Sequence, residues 1–316
     1  MKRTFHFFRP FLYTCLFCAM AVFTTLPVAV QAQQTPSFGL EFEENAYRSL
    51  PLLRLSEGQK GIDTLKRLSL RPFAPMPGQQ GKISACTGYA GGYGAMTILH
   101  AVRSRLKSPE EIKQVTFSAA YVYNSVKQRH GDCGEGIRLE KALQFLKEQG
   151  NCLYPDFDTT QQCITKPDTA LAKKARYNTI KDFAPILPLN SQTPQIVNSV
   201  KTCLRDSLPV IVVIKVFPSL LGMEKGERIW QKRVREETVG LHCLVVTGYD
   251  ERKSLFEVMS SWGTDWADGG FAYIDYGDMG TICQAAYTLV LTDWPESALP
   301  KSNQMTTAVG QAMLPR

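Results

Sequence analysis

The apolar residues of this chain change their spacing just after residue 207. Before that point they recur at intervals of three and four, as in residues 139–146, which is the spacing of a helix with one buried face. After it they form short unbroken runs, at 210–214 and 244–246, which predict buried strands. Further strands are expected at 255–259, 271–274 and 287–291. Helices followed by strands predict an α+β protein with two lobes.

A helix is also expected over residues 86–106, although its first part contains four glycines, which are poor helix formers. These glycines predict a surface against which another element packs closely. Ser108-Pro109-Glu110-Glu111 has the cap, the proline and the acidic residues of a helix start. Residues 219–240, between the first two strands, are charge-rich and indicate a surface insertion.

The first 32 residues have the pattern of a secretory signal peptide. Lys2, Arg3 and Arg9 precede or flank an apolar run, and Val30-Gln31-Ala32 supplies small residues for cleavage after Ala32. The alternative is an uncleaved membrane anchor, because the run is nearly long enough to span a bilayer. Cleavage predicts a secreted or periplasmic protein without stable membrane insertion. Cleavage also removes three basic residues, which lowers the formal net charge from its value of +7 for the full sequence. The remaining chain is mildly basic, and its sequence has no clustered basic face of the kind that binds nucleic acid.

The chain has nine cysteines, of which seven follow residue 32. In an exported protein an odd number predicts three disulfides and one unpaired thiol. Cys86 is the candidate for that thiol, because it begins a predicted helix whose positive end stabilises a thiolate. The alternative for any single cysteine is a disulfide. The alternative for Cys203 and Cys243, which lie in apolar patterns, is a reduced core residue.

Only three histidines follow residue 32. His100 and His130 are interpreted as structural or solvated, because one lies in the glycine-rich helix and the other beside a helix end. His242 lies at the edge of a predicted strand. An imidazole beside the Cys86 thiol gives a thiolate–imidazolium pair, which is an activated nucleophile. No metal site and no cofactor is expected, since this part of the chain has no C-x-x-C or H-x-x-x-H pair.

The pattern around these two residues resembles the papain family of cysteine peptidases over about residues 68–292. Gln80-Gly81 precedes Cys86 at the spacing of the family's oxyanion glutamine, and Ser260-Ser261-Trp262-Gly263 follows His242 as the family's Asn-Ser-Trp-Gly block does. Cys133-Gly134-Glu135-Gly136 is similar to the cysteine and paired glycines that line the family's substrate groove, with Glu135 splitting the pair.

Three positions depart from the family pattern. Ile83 replaces the first cysteine of the family's signature, and Thr87 replaces the aromatic residue after the nucleophile. Ser260 stands where the family has the asparagine that accepts a hydrogen bond from the catalytic imidazole. Its shorter side chain predicts slower catalysis, because a hydrogen bond to a charged group contributes about 1.5–3 kcal/mol.

The resemblance implies a role for each matching residue. Cys86 is the expected nucleophile, His242 the acid and base, Gln80 an oxyanion donor and Ser260 the residue that orients His242. The same resemblance gives Gly134, Gly136 and Trp262 as the expected substrate-binding residues. It also implies a disulfide between Cys133 and Cys163. Trp262 is also expected to shield the His242–Ser260 contact from water. A monomer that acts on peptides or proteins is expected.

The resemblance also divides the chain. Residues 1–32 are the predicted signal peptide, and residues 33–70 a leader or short pro-segment. The peptidase domain is expected over 71–295, with a helical N-terminal lobe, a C-terminal lobe resembling an antiparallel β-barrel, and the active site in the cleft between them. Residues 296–316 are expected to form a flexible tail.

Two alternatives to a peptidase stay open. The first is a catalytically silent protein of the same fold that binds peptides or a partner, motivated by Ser260 and Thr87. The second is an acyltransferase or transglutaminase-like enzyme, which uses the same Cys-His chemistry with an amine as the acceptor.

Overall fold

The computed structural model describes Met1, Phe38 and residues 40–53, 65–106, 108–129, 132–158 and 167–291. The predicted signal peptide beyond Met1 and the predicted tail lie outside the described residues, as do His130 and Cys163. No helix within the described part is long and apolar enough to cross a membrane.

Most helices of the described residues lie in the first half of the chain. They are α1 (Glu44–Ser49), α2 (Cys86–Gly88), α3 (Met96–Arg103), α4 (Pro109–Gln114), α5 (Ala119–Val126), α6 (Leu139–Glu148), α7 (Thr169–Ala175), α8 (Thr193–Arg205), α9 (Pro218–Leu221) and α10 (Tyr276–Ile282). The π-helical residues Tyr89–Ala95 join α2 to α3, so that 86–103 is the continuous helix that the sequence predicts. Ser108 and Glu111 form the reciprocal cap of α4.

The strands come mainly from the second half of the chain. They are β1 (Leu40–Glu41), β2 (Arg67–Ser69), β3 (Ile137–Arg138), β4 (Ile180–Pro185), β5 (Val210–Val216), β6 (Ile229–Trp230), β7 (Gly240–Asp250), β8 (Leu255–Met259), β9 (Phe271–Asp275) and β10 (Cys283–Leu291). Eight of them form one sheet in the order β4-β10-β5-β7-β8-β9-β6, with β2 added to β7. All pairs in this sheet are antiparallel except β6 with β9. The predicted α+β class is confirmed.

Strand β5, at the centre of the sheet, is almost completely buried. Strand β5 has the sequence Val-Ile-Val-Val-Ile-Lys-Val, and all of its residues except Lys215 are buried. Branched side chains suit a pleated surface that is covered on both faces. Strand β7 pairs with β5 from Val210 opposite Val246 to Val216 opposite Gly240. This pairing holds the start of β7, which carries His242, firmly in register.

The glycines of the 86–103 helix permit the close packing that the sequence predicts. A Cβ atom at Gly88 would lie 2.5 Å from the carbonyl oxygen of Ala119, and one at Gly92 would lie 2.7 Å from the amide nitrogen of Asn151. Such contacts are shorter than van der Waals distance, so larger residues would separate this helix from its neighbours.

Part of the predicted leader is ordered against the rest of the fold. Strand β1 pairs in parallel with β3, and β2 pairs with β7. Tyr47 of α1 is buried, and its hydroxyl donates to the carbonyl of Leu187 at 2.6 Å. Residues 40–53 therefore contribute to the core.

The predicted insertion 219–240 is anchored to the sheet by the pairing of its strand β6 with β9. Trp230 of β6 is buried and donates its indole N–H to the Ser219 hydroxyl at 3.0 Å. β6 had no sequence prediction, because a two-residue strand has no periodicity of its own.

The sequence predicts three disulfides, and none of them is found between two described cysteines. Cys152, Cys203, Cys243 and Cys283 have free thiols. Burial raises the pKa of Cys203 to about 12, which fits the alternative of a reduced core residue. The Cys133–Cys163 pair stays a prediction, because Cys163 lies outside the described residues.

Candidate active site

Cys86 is the first residue of the 86–103 helix and is fully buried. Its pKa lies well below the usual value for a thiol. The largest cause is a hydrogen bond from the Cys243 side chain, followed by a hydrogen-bonding and charge interaction with His242, and a contribution from the Cys243 backbone. Burial alone acts in the opposite direction, since it disfavours a charged thiolate. The donors on β7 therefore outweigh the loss of solvent.

His242 lies in β7, directly opposite Ile214 of β5, and is fully buried. Its Nε2 atom lies 3.4 Å from the Ser260 hydroxyl oxygen, at the long end of the range for a hydrogen bond. The other ring nitrogen, Nδ1, has no hydrogen-bond partner of ordinary geometry among the described residues. Since Nε2 is directed to Ser260, Nδ1 is left to interact with Cys86. Catalytic contacts of this kind are often long until a substrate is bound.

Trp262 covers the imidazole of His242. The two rings are stacked, with centroids 4.4 Å apart and planes 20° apart. Trp262 is 4% exposed and meets Trp266 edge-on at 5.0 Å. Its indole thus lies between the His242 imidazole and the core, a position that suits the expected shielding role.

Gln80 is held in one orientation by its neighbours. The Ser261 hydroxyl donates to the side-chain oxygen of Gln80 at 2.6 Å, and the Gln80 side-chain nitrogen donates to the carbonyl of Ile83 at 3.1 Å. The Gln80 backbone N–H donates to the Ser261 carbonyl at 2.9 Å. These bonds join the loop before Cys86 to the loop after β8, which carries Ser260.

The glycine-rich segment predicted to line the groove is bonded to the loop before the nucleophile. Ser84 donates its backbone N–H to the carbonyl of Cys133 at 2.9 Å, and its hydroxyl donates to the carbonyl of Gly134 at 3.1 Å. Gly134 is exposed and Gly136 is half-buried.

Glu135, which splits the two glycines, is bonded to the backbone that follows α5. Its carboxylate accepts the backbone N–H groups of Gln128 and Arg129, at 2.8 and 2.6 Å. The residue therefore holds the groove segment against the end of α5, where a second glycine would supply no such contact.

The structure brings together Cys86, His242, Ser260 and Trp262, and it joins Gln80 to the same group of residues through Ser261. Two participants were missed from the sequence: Ser261 and Cys243. Each directly follows a predicted site residue, which is the signal that could have identified it. His100, which the sequence analysis interprets as structural or solvated, packs its ring edge-on against Phe117 at 5.8 Å, and burial lowers its pKa.

A small cavity lies behind the site and has room for about one water molecule. Its walls include Ser260, Ser261 and Cys243 on the sheet side and Tyr89 and Ala90 on the helix side. The cavity therefore lies between the sheet and the 86–103 helix, beside Ser260.

Comparison with known proteins identifies relatives of this fold. Residues 88–291 match the model of the papain family cysteine proteases. An uncharacterized peptidase C1-like protein of Acanthamoeba polyphaga mimivirus is 22% identical over 232 residues, which span 68% of this chain and 69% of the viral protein. Among solved structures, xylellain, a cysteine protease from Xylella fastidiosa, is 17% identical with a TM-score of 0.60, over 81% of this chain and 92% of xylellain. Procathepsin B S9 from Trypanosoma congolense is also 17% identical, with a TM-score of 0.60 over 81% of this chain and 87% of its own.

Proposed function

The chain belongs to the papain family of cysteine proteases, and on that premise we propose that it is an active cysteine-type peptidase with Cys86 as nucleophile and His242 as acid and base. One observation carries the proposal. The free thiol of Cys86 begins a helix in one lobe, and groups on β7 of the sheet, His242 among them, lower its pKa. A thiolate at neutral pH is what nucleophilic catalysis by cysteine requires.

In the proposed reaction the Cys86 thiolate adds to the carbonyl carbon of the scissile peptide. His242 acts as the acid and gives a proton to the leaving amine, and a thioester remains on Cys86. His242 then removes a proton from water, which attacks the thioester and releases the acid product. The reaction needs no cofactor.

The oxyanion formed in both steps needs donors at the carbonyl oxygen. We assign this role to the Cys86 backbone N–H and the Gln80 side-chain amide. The bond from Ser261 to the Gln80 oxygen supports the assignment, because it fixes which end of the amide carries the N–H donors. Removal of one such donor typically costs about 100- to 1000-fold in kcat.

The Ser260 hydroxyl is proposed to orient His242 less firmly than an asparagine would. The 3.4 Å separation supports this view, since short hydroxyl hydrogen bonds are near 2.8 Å. Activity is therefore expected to be present but weakened. The same observation motivates the alternative of a silent peptide-binding protein, which the experiment below separates from an enzyme.

Residues 33–70 are proposed to act as a short pro-segment. Two contacts support this. Strand β1 pairs with β3, directly after Gly136, and Phe38 lies against Gly240, where an added Cβ would approach its ring to within 2.8 Å. The segment thus pairs with the strand that follows the predicted groove residues, and it contacts the start of the strand that carries His242. A chain in that position obstructs a substrate.

Export is the proposed localisation, secreted or periplasmic, and its support is the pattern of residues 1–32. Sequencing of the exported protein should give Gln33 as the first residue. Full-length protein retained in the membrane would favour the uncleaved anchor.

A thiol-directed epoxide and a peptide-library digest test the catalytic proposal together. The wild type should be labelled at Cys86 and should cleave peptides, whereas Cys86→Ala should do neither. Cys203→Ala is the matched control, because it removes another buried thiol that has no part in the proposed reaction. A folded protein that is neither labelled nor active, both as the wild type and as the Phe38→Ala variant in which the contact of the N-terminal segment is weakened, would favour the binding protein. Labelling with transfer to an added amine, and no hydrolysis, would favour the acyltransferase.

A further inference from the structure

The thiol of Cys243 takes no part in the bond-making steps of the proposed hydrolysis, yet its side chain interacts directly with that of the nucleophile. Its side chain is hydrogen-bonded to that of Cys86, and both residues are buried free thiols. Cys86 lies at the start of α2, and Cys243 lies on β7 immediately after His242, so that the contact crosses between the helical lobe and the sheet. The cavity that Cys243 lines is walled on its helix side by Tyr89 and Ala90, one turn after Cys86, so Cys243 faces the first turn of the helix that the nucleophile begins.

We propose that Cys86 and Cys243 form a reversible oxidation site, in which a hydroperoxide converts the two thiols to a disulfide and so blocks the nucleophile. The inference goes beyond the proposed hydrolysis and depends only on the two thiols.

The chemistry has two steps. The Cys86 thiolate attacks an oxygen of hydrogen peroxide, the O–O bond breaks, and the products are a sulfenic acid on Cys86 and hydroxide. Sulfur of Cys243 then attacks sulfur of Cys86, and hydroxide leaves with the proton of the Cys243 thiol as water. In total, two thiols lose two electrons and two hydrogens, and one peroxide becomes two waters.

The two thiols differ in pKa, and this difference sets the order in which they react. The pKa of Cys86 is lowered, which makes it the first to react. The pKa of Cys243 is raised, chiefly by burial and then by its hydrogen bond and charge interaction with Cys86. Oxidation of Cys86 to a neutral sulfenic acid removes the charge interaction, so that Cys243 loses its proton more readily once the first step has occurred.

The surroundings favour Cys243 over other described cysteines as the partner. Neither Cys152 nor Cys283 is among the groups that shift the pKa of Cys86. The small cavity lined by Cys243, Tyr89 and Ala90 gives the Cys243 side chain room to turn. Cys133 is the competitor that the test must distinguish, because its carbonyl accepts the N–H of Ser84.

The test is peptide mapping of the full chain after treatment with hydrogen peroxide, with and without dithiothreitol. We expect a peptide that joins Cys86 to Cys243, lighter by two hydrogens than its parts and separated by dithiothreitol. In Cys203→Ala the same linked peptide should form. In Cys243→Ala and Cys243→Ser it should be absent, and Cys86 should pass to the irreversible sulfinic acid.

Peptidase activity is measured beside the map. Peroxide should abolish the activity of the wild type, and dithiothreitol should restore it, whereas in Cys243→Ser the loss should be permanent. A wild type in which Cys86 becomes only sulfinic acid, or is joined to Cys133, would overturn the proposal. Because the map is read without activity, an inactive protein that forms the linked peptide refutes the proposed function and leaves the oxidation site standing.

Discussion

The imidazole of His242 lies nearly parallel to the indole of Trp262, with 4.4 Å between the ring centroids. On the other side of the site, the Ser260 hydroxyl is 3.4 Å from Nε2 of the same ring. A stacked contact restrains the plane of a ring, whereas a hydrogen bond directs one atom of it. Since the hydrogen bond is long, we infer that the stack is the main restraint on the orientation of His242.

Trp262→Phe and Trp262→Ala test this inference. Phenylalanine keeps an aromatic face against the imidazole. The substitution breaks no hydrogen bond of the indole, because the indole N–H of Trp262 is buried without a partner among the described residues. We expect Trp262→Phe to keep most of kcat/KM. Trp262→Ala should lose about 2- to 12-fold through the stack alone, from the 0.5–1.5 kcal/mol typical of aromatic pairs.

Thermal denaturation measured on the same variants separates orientation from folding. Truncation of a buried tryptophan to alanine costs about 3–5 kcal/mol of stability. If both variants lose activity equally while the alanine variant alone is destabilised, stacking does not orient the imidazole.

Ser260→Asn should raise kcat. Asparagine extends the side chain toward Nε2, and the small cavity beside Ser260 and Ser261 provides space for the added atoms. The gain should be about 10-fold, because a full hydrogen bond to a charged group exceeds a weak one by about 1.5 kcal/mol. Ser260→Ala should cost less than about 10-fold, since it removes only the long contact. Steady-state kinetics with one peptide substrate measure both; an asparagine variant slower than the wild type contradicts the interpretation.

Ser261→Ala should lower kcat with little change in KM. The variant removes the 2.6 Å bond that fixes the Gln80 amide, so the donor to the oxyanion is present but less well oriented. We expect about 10-fold for Ser261→Ala and about 100-fold for Gln80→Ala, on the scale typical of oxyanion donors. The double variant should be no slower than Gln80→Ala, because both act through one amide. Additive losses would show that Ser261 has a separate role.

The amino-acid sequence was enough to predict elements whose signal is local. Strand β8 was predicted over the residues observed, and the cap of α4 at Ser108 was predicted from its composition. Strand β7 was predicted at 244–246 only, because its ends carry glycine, histidine and polar residues. Strand β1 had no signal, since it exists only through its pairing with β3, about a hundred residues later in the chain.

The candidate site follows the same division. The types and order of Cys86, His242 and Ser260 could be predicted from the sequence. The bond from Ser261 to Gln80 and the contact of Cys243 with Cys86 could not, because both depend on the register of the sheet against the helix that carries the nucleophile. The spacing of apolar residues predicts one helix or strand at a time, and it carries no information about that register.

Alkylation at low pH should be specific for Cys86. Because its pKa is lowered, Cys86 keeps its thiolate as the pH falls below neutral and loses reactivity only when the pH passes the lowered value. Cys152 and Cys203, with pKa values of about 12, are protonated throughout this range. At about pH 6, where an ordinary thiol of pKa near 8.5 is almost fully protonated, iodoacetamide should label Cys86 alone. Rates of Cys86 labelling, measured by mass spectrometry over roughly pH 4 to 9, give the midpoint of the thiol titration. A midpoint near about 8.5, the value of an ordinary thiol, would contradict thiolate stabilisation.

Release of the N-terminal segment should expose the nucleophile. Phe38 lies against Gly240 at the start of the strand that carries His242, and its ring is half-buried. Phe38→Ala removes part of the apolar contact that holds the segment, worth about 1–2 kcal/mol, so epoxide labelling of Cys86 should become about 5- to 30-fold faster. Leu52→Ala, in the same segment but 46% exposed, is the matched control and should leave the labelling rate unchanged. Peptide hydrolysis should rise in parallel in the Phe38 variant, because substrate and epoxide reach the sulfur through the same groove. Equal labelling of all three proteins would mean that residues 38–41 leave the groove open, and that residues 33–70 are part of the fold without an inhibitory role.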